Sequence, residues 1–127
     1  MLGLKRGAVA LYPHEKAWET EAQATMARLR QILGSVAVEM AHVGSTAIPT
    51  IQAKPIIDIA VAVDDFDTLL AYEKKLRAAG FYYRPNAQAE VRGQLLFACG
   101  SYYDGSGDLQ THFIHIVRTG SVDWQNY

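Results

Sequence analysis

Apolar positions alternate with polar ones in two distinct rhythms along the chain. Between residues 15 and 33, Trp18, Ala22, Met26, Leu29 and Leu33 recur at spacings of 4, 4, 3 and 4. That period predicts an amphipathic helix, with Pro13 as a helix-start proline and Gly34 as its left-handed cap. Residues 36–43 are short and Val-rich and predict a strand, broken at Gly44-Ser45-Thr46. Pro49 and Pro55 forbid a long helix after it. Residues 56–63 are β-branched or Ala apart from Asp58, the pattern of a strand covered on both faces and interior to its sheet. Asp64, Asp65 and Asp67 then announce a helix carrying Phe66, Leu69, Leu70 and Leu76 and closed by Gly80. Three more strands are expected at residues 81–83, 94–100 and 111–117, the last two joined by a turn-rich loop over 101–110. Ser121 is placed to cap one final helical turn. This order of elements is α+β, a mixed sheet with helices packed on it. Trp18, Tyr12, Leu29 and Phe97 are assigned to the core.

The 127 residues make one domain, and half of them are apolar, enough to bury a core. Twelve Lys and Arg against thirteen Asp and Glu give a net charge of -1. This excludes a strongly basic protein for long nucleic acids, since each phosphate contact needs a cation. Apolar runs such as Ile59–Val63 fall far short of the roughly 20 residues of a membrane span. The single Cys99 rules out an internal disulfide, and no Cys/His zinc spacing appears. A cytoplasmic protein without membrane association is expected.

The chemistry concentrates between His42 and Asp58. A glycine just after a strand lets a ligand reach the backbone, and Ser45 and Thr46 add hydroxyls and N–H groups that can cradle a phosphate. Asp58 in an apolar strand needs a partner or a metal ion. Its bland partners are Lys54 or backbone N–H groups. Lys54 and Arg92 are the phosphate-binding candidates among the cations, Lys54 the stronger by its nearness to Asp58. His42 shares a strand face with Gly44 if the strand reaches that far, and would line the same cleft. His112 and His115, three apart on a strand, point to opposite faces and cannot ligate one metal ion together.

The stretches His42-Val43-Gly44-Ser45-Thr46 and Ala53-Lys54-Pro55-Ile56-Ile57-Asp58-Ile59 closely resemble the GrpB family. The resemblance extends to Leu11-Tyr12-Pro13 with Trp18, to the His-containing strand at 111–117, and to Ser121 with Trp124. The family in turn resembles the polymerase-β-type nucleotidyltransferases. There a Gly-Ser turn holds the nucleoside triphosphate, and carboxylates on the next strand hold divalent metal. The resemblance therefore implies a nucleotidyltransferase-like fold over residues 1–127, without the C-terminal helices family members usually carry. Gly44 and Ser45 match the turn and Asp58 the first carboxylate, the expected ligand for Mg²⁺ or Mn²⁺. His115 falls near the third acidic position, making Asp58 and His115 the catalytic candidates. The second carboxylate is replaced by Ala60. Asp64 lies about 20 Å further along an extended strand and cannot substitute.

Two function classes follow. One is an enzyme moving a nucleotidyl group from a nucleoside triphosphate to a small acceptor. The other is a non-catalytic nucleotide-binding or accessory domain, linked to coenzyme A metabolism because some relatives are fused to dephospho-CoA kinase. The sheet face that further helices would cover is expected to be exposed or to pair with a second copy in a homo-oligomer.

Overall fold

The computed structural model describes residues 1–85 and 93–127. Its elements in chain order are β1 (Leu4–Lys5), α1 (Lys16–Leu33), β2 (Glu39–Val43), β3 (Ile57–Val63), α2 (Phe66–Leu70), α3 (Glu73–Ala78), β4 (Tyr82–Tyr83), β5 (Leu95–Cys99), α4 (Ser101–Asp104), β6 (Leu109–Gln110), β7 (His112–Arg118) and α5 (Val122–Gln125). Among the described residues the main sheet has five strands in the order β2-β3-β7-β5-β4. The pair β3–β7 is parallel and the other three pairs are antiparallel, so the sheet is mixed and the protein is α+β, as expected.

The periodicity of each strand assigns its two faces. Ile57, Ile59, Val61 and Val63 of β3 point to one side with Ile114 and Ile116 of β7 and Leu95, Phe97 and Cys99 of β5. Helix α1 lays Trp18, Ala22, Leu29 and Leu33 on this side, all buried, while α2 and α3 contribute Leu69 and Leu76. Burying a side chain of this size contributes about 1.5–3 kcal/mol. Tyr12 packs at the edge of this cluster and Trp18, Leu29 and Phe97 lie within it. The other face carries Asp58, Ala60, Ala62, Ala98, Leu96, Phe113, His115 and Val117.

Several local expectations change. Helix α1 starts at Lys16 with Glu15 in extended geometry before it, so Pro13 lies outside the helix. Tyr12 instead makes a two-way backbone bridge with Ala53, at 2.9 and 3.0 Å. Gly34 does end α1 at φ 55. The single helix expected after Asp65 is two, because Tyr72 leaves helical geometry at φ -94 and ψ 5. Asp65 caps the first of them, accepting from the Thr68 N–H at 3.2 Å. Residues 101–110 are more than a loop: they hold α4 and then β6, which pairs antiparallel with β1 as Leu4↔Gln110 and Lys5↔Leu109. Gly100 makes this possible. At φ 131 and ψ 164 it sits where glycine alone is comfortable, and a Cβ there would lie 2.2 Å from the Leu109 carbonyl oxygen.

His112 is a buried polar residue on the core face. Thr111 Oγ1 lies 2.7 Å from its Nδ1 and Glu21 Oε1 lies 3.0 Å from its Nε2. Burial lowers its pKa below the usual imidazole range, against an upward pull from Glu21, and burial likewise lowers that of His42. As pH falls through about 6.5 the unfolded chain therefore takes up protons that the folded chain resists, and stability is lost. Urea midpoints are expected to drop between pH 7 and pH 5. The drop is expected to be shallower in His112→Gln and His42→Gln, measured against the same variants' values at pH 7.

Candidate active site

The site grows from the register of β3. Its antiparallel partner β2 ends at Val43, directly opposite Asp58, so the turn at Gly44 lies against the Asp58 side chain. Its parallel partner β7 sets Phe113 opposite Asp58 and His115 opposite Ala60. Both strands thus deliver chemistry to the same carboxylate. His115 Nε2 is 3.0 Å from Asp58 Oδ1, with the Asp58 side chain 27% exposed. Asp58 is therefore half-buried rather than sealed in, and the side chain at hydrogen-bond distance from it is His115 and not Lys54.

Gly44 has φ 73 and ψ -171, a region essentially restricted to glycine. A Cβ there would stand 2.8 Å from Asp58 Oδ2 and 3.2 Å from its Cβ. The missing side chain makes room for the carboxylate as much as for any ligand. A short 3₁₀ turn, Ser45–Ala47, follows, with Ser45 exposed at its start.

A cleft of about 310 Å³ opens in front of these groups. Ser45, Lys54 and Asp58 line it together with Lys5, Gln110 and Phe113. The structure thus brings Gly44, Ser45, Lys54, Asp58 and His115 to one place. His42 goes elsewhere. It pairs with Ile59, so its ring lies on the core side of the sheet, where its Nε2 is 2.9 Å from the hydroxyl of buried Thr46. His42 and Thr46 brace the turn from behind. Arg92 lies outside the described residues. Asp64, at the far end of β3, accepts a hydrogen bond from Thr119 at 2.6 Å.

The two histidines of β7 serve opposite faces, as their spacing requires: His112 meets Glu21 of α1 and His115 meets Asp58. The Nδ1 of His115 is buried without a hydrogen-bond partner. With Nε2 donating to Asp58, Nδ1 is left as an acceptor shielded from solvent. Cys99 is a buried thiol pushed up to about 12 by desolvation and is chemically quiet.

Does a divalent ion fit here? Among the described residues a two-ion centre does not. Bridging two ions needs carboxylates from at least two residues, and Ala60, fully buried, stands where the second would be. No cluster of three His, Cys, Asp or Glu ligands occurs among the described residues. One ion does fit the donor set, because Mg²⁺ is commonly held by one or two carboxylates plus substrate phosphates.

The sequence walls recruited to the cleft include a segment that no motif marks. Lys5, Gly7, Ala8 and Val9 reach it through the β1–β6 ribbon. A two-residue strand in a mixed N-terminal stretch carries no periodic signal by which to find it.

Solved structures share this arrangement of strands and helices. The Cid1 poly(U) polymerase, in a structure bound to MgATP, aligns with 84% of the chain and 34% of its own at a TM-score of 0.56 and 18% identity. The conserved protein GrpB from Enterococcus faecalis aligns with 91% of the chain and 66% of its own at a TM-score of 0.78 and 23% identity. The chain shares the fold of these two proteins, and a Gly-Ser turn and the Asp58 carboxylate stand at its cleft.

The sequence profile of the GrpB protein family matches residues 8–127, and the chain belongs to that family. The glutamate-rich protein GrpB of Alkalihalophilus pseudofirmus is 33% identical over 127 residues, which is 99% of this chain and 70% of that protein. A dephospho-CoA kinase of Mycolicibacterium paratuberculosis is 32% identical over 108 residues, 83% of this chain and 26% of the kinase. None of the helices among the described residues is long and apolar enough to cross a membrane.

The contact between Gly44 and Asp58 yields a direct test. Gly44→Ala is expected to cost roughly 1–3 kcal/mol of stability from backbone strain alone. It also pushes the Asp58 carboxylate off His115. Denaturant melts of Gly44→Ala, of Asp58→Gly and of the double variant Gly44→Ala/Asp58→Gly check this. Removing the clashing carboxylate is expected to recover part of the loss, and strict additivity of the two substitutions would contradict the contact.

Proposed function

We propose that the protein binds a nucleoside triphosphate with one Mg²⁺ or Mn²⁺ ion in the cleft at Gly44, Ser45, Lys54 and Asp58, and transfers its nucleotidyl group to a small acceptor. The observation that carries this is the convergence of an exposed Gly-Ser turn, a lysine and a carboxylate on one cleft of a nucleotidyltransferase fold. The Ser45 hydroxyl donates to a phosphate oxygen and the Lys54 ammonium neutralises the polyphosphate. Asp58, fixed by His115, offers Oδ2 as the protein ligand to the ion. The bound ion would supply Lewis-acid neutralisation of the phosphate charge. An acceptor hydroxyl oxygen forms the new bond to the α-phosphorus, the α–β phosphoanhydride bond breaks and pyrophosphate leaves, with the hydroxyl proton passing to water.

A second reading has its own support. Ala60 withholds the carboxylate that a two-ion centre would use, and part of a dephospho-CoA kinase is similar to this chain. On that basis the domain keeps the nucleotide cradle as an accessory element, without transfer chemistry. Both readings place the protein in the cytoplasm, where triphosphates are supplied.

Calorimetric titration with nucleoside triphosphates, with and without Mn²⁺, is the discriminating measurement. Binding is expected to strengthen with Mn²⁺ and to lose that dependence in Asp58→Asn. Ser45→Ala is expected to weaken it by about 0.5–1.5 kcal/mol, the contribution of one hydrogen bond. Triphosphate binding with no pyrophosphate release in the presence of varied acceptors favours the accessory reading. Absence of binding by every triphosphate removes both.

A further inference from the structure

A second cleft, of about 530 Å³, lies on the Asp58 face of the sheet, lined by Arg6, Arg84, Leu96, Tyr102, Tyr103 and Gln110. Two observations fix the face. Leu96 is the β5 partner of His115. Arg84 follows Tyr83, whose ring stacks on Phe97 in the core at 5.2 Å, so strand alternation sends the next side chain to the other side. The Arg84 N–H donates to the Leu96 carbonyl at 2.8 Å and holds it in that register.

Each guanidinium rests on a tyrosine. Arg6 Cζ is 5.3 Å from the centre of the Tyr102 ring, and Arg84 Cζ is 5.0 Å from that of Tyr103. The rings meet edge to face, 5.0 Å apart. Arg6 also donates to the Tyr102 hydroxyl, and the Tyr103 hydroxyl donates to Gln110 Oε1 at 2.7 Å. Neither arginine joins any of the ion pairs among the described residues. Stacking on aromatic faces holds the guanidinium planes, and neither charge is matched by a carboxylate in those ion pairs. Two such cations on one cleft, in a chain of net charge -1, are arranged for an anion rather than for general basicity. A phosphate monoester suits them best: it approaches a double negative charge near neutral pH and accepts bidentate bonds from the guanidinium fork.

We propose that this cleft binds the phosphate group of a second substrate, a small phosphorylated acceptor. The acceptor role rests on the nucleotidyl-transfer reading above, whereas anion binding stands on the two arginines alone. The geometry suits a two-substrate site. Gln110 lines both clefts. From β3 across to the β4 flank is three strand spacings, about 14 Å. A ligand anchored by its phosphate at Arg84 can therefore extend a hydroxyl toward the cleft at Asp58.

The test titrates inorganic phosphate, at constant ionic strength, into the full chain and into Arg6→Ala, Arg84→Ala, Arg84→Lys and Ser45→Ala, read by calorimetry and thermal shift. Phosphate is expected to raise the melting temperature of the natural chain and of Ser45→Ala alike. Both alanine variants are expected to weaken it about tenfold or more, and Arg84→Lys, which keeps the charge but loses the fork, by several-fold. Affinity for a triphosphate with Mn²⁺ is expected to stay within about threefold in Arg84→Ala. No phosphate binding up to about 20 mM overturns the proposal, as does binding unchanged in both alanine variants. Loss in Ser45→Ala alone assigns the phosphate to the first cleft and also overturns it. Equal losses of phosphate and triphosphate in Arg84→Ala make the cleft the nucleotide's own seat, which sinks the second-substrate claim. Phosphate binding lost only with the arginines, in a protein that binds no triphosphate, leaves the anion site standing and removes the nucleotidyl-transfer reading.

Discussion

A carboxylate near the start of an apolar strand is the constraint around which the rest is arranged. Asp58 interrupts a run that would otherwise be Ile, Val and Ala throughout, and a half-buried carboxylate there needs partners. Both neighbouring strands answer it. From one side β2 ends so that the chain turns at a glycine, the residue that leaves space for the carboxylate. From the other, β7 supplies an imidazole at hydrogen-bond distance. The antiparallel and parallel registers of β3 must both hold for this to happen. A slip of one residue on either side would turn the partner groups to the wrong face.

The two faces of the sheet divide the labour. Large branched residues crowd the side covered by α1, α2 and α3, where volume and shape decide stability. On the opposite side Ala60, Ala62 and Ala98 are small and fully buried, on the same face as Asp58 and His115. The same strand β7 serves both purposes within four residues. His112 completes the core against Glu21, and His115 steers the site carboxylate. One histidine is therefore buried against the helix and the other stands at the cleft carboxylate, although the sequence presents them as a pair.

Much of this was legible in the residues themselves. The 3.6-residue stripe from Trp18 to Leu33, the all-apolar strand around Asp58 and the opposite facing of the two histidines follow from periodicity alone, and the structure keeps all three. The Gly44-Ser45 turn is legible because it directly follows a strand and lies in the stretch that resembles the GrpB family, whereas a Gly-Ser pair by itself marks no more than a turn. What escaped was non-local. Nothing near Asp58 in sequence says that its partner lies 57 residues away, so Lys54 looked the nearer candidate. His42 was assigned to the cleft by alternation with Gly44, but the φ of 73 at Gly44 breaks the alternation at that point. The break at Tyr72 and the strand pair β1–β6 depend on tertiary packing, which short-range patterns do not encode.

That small ribbon has a consequence for the order in which the molecule is assembled. Leu4 and Gln110 are more than a hundred residues apart in the chain, yet their pairing puts Lys5 and Gln110 on the walls of the cleft. Closing so long a loop costs more chain entropy than any of the local hairpins, and two residue pairs return little until the sheet already holds both ends near each other. The ribbon is thus a late event. During synthesis, a nascent chain that has exposed Gly44, Ser45 and Asp58 still lacks one wall of its cleft until residue 110 leaves the ribosome. The cleft is thereby complete only in molecules whose sheet already holds both ends of the ribbon.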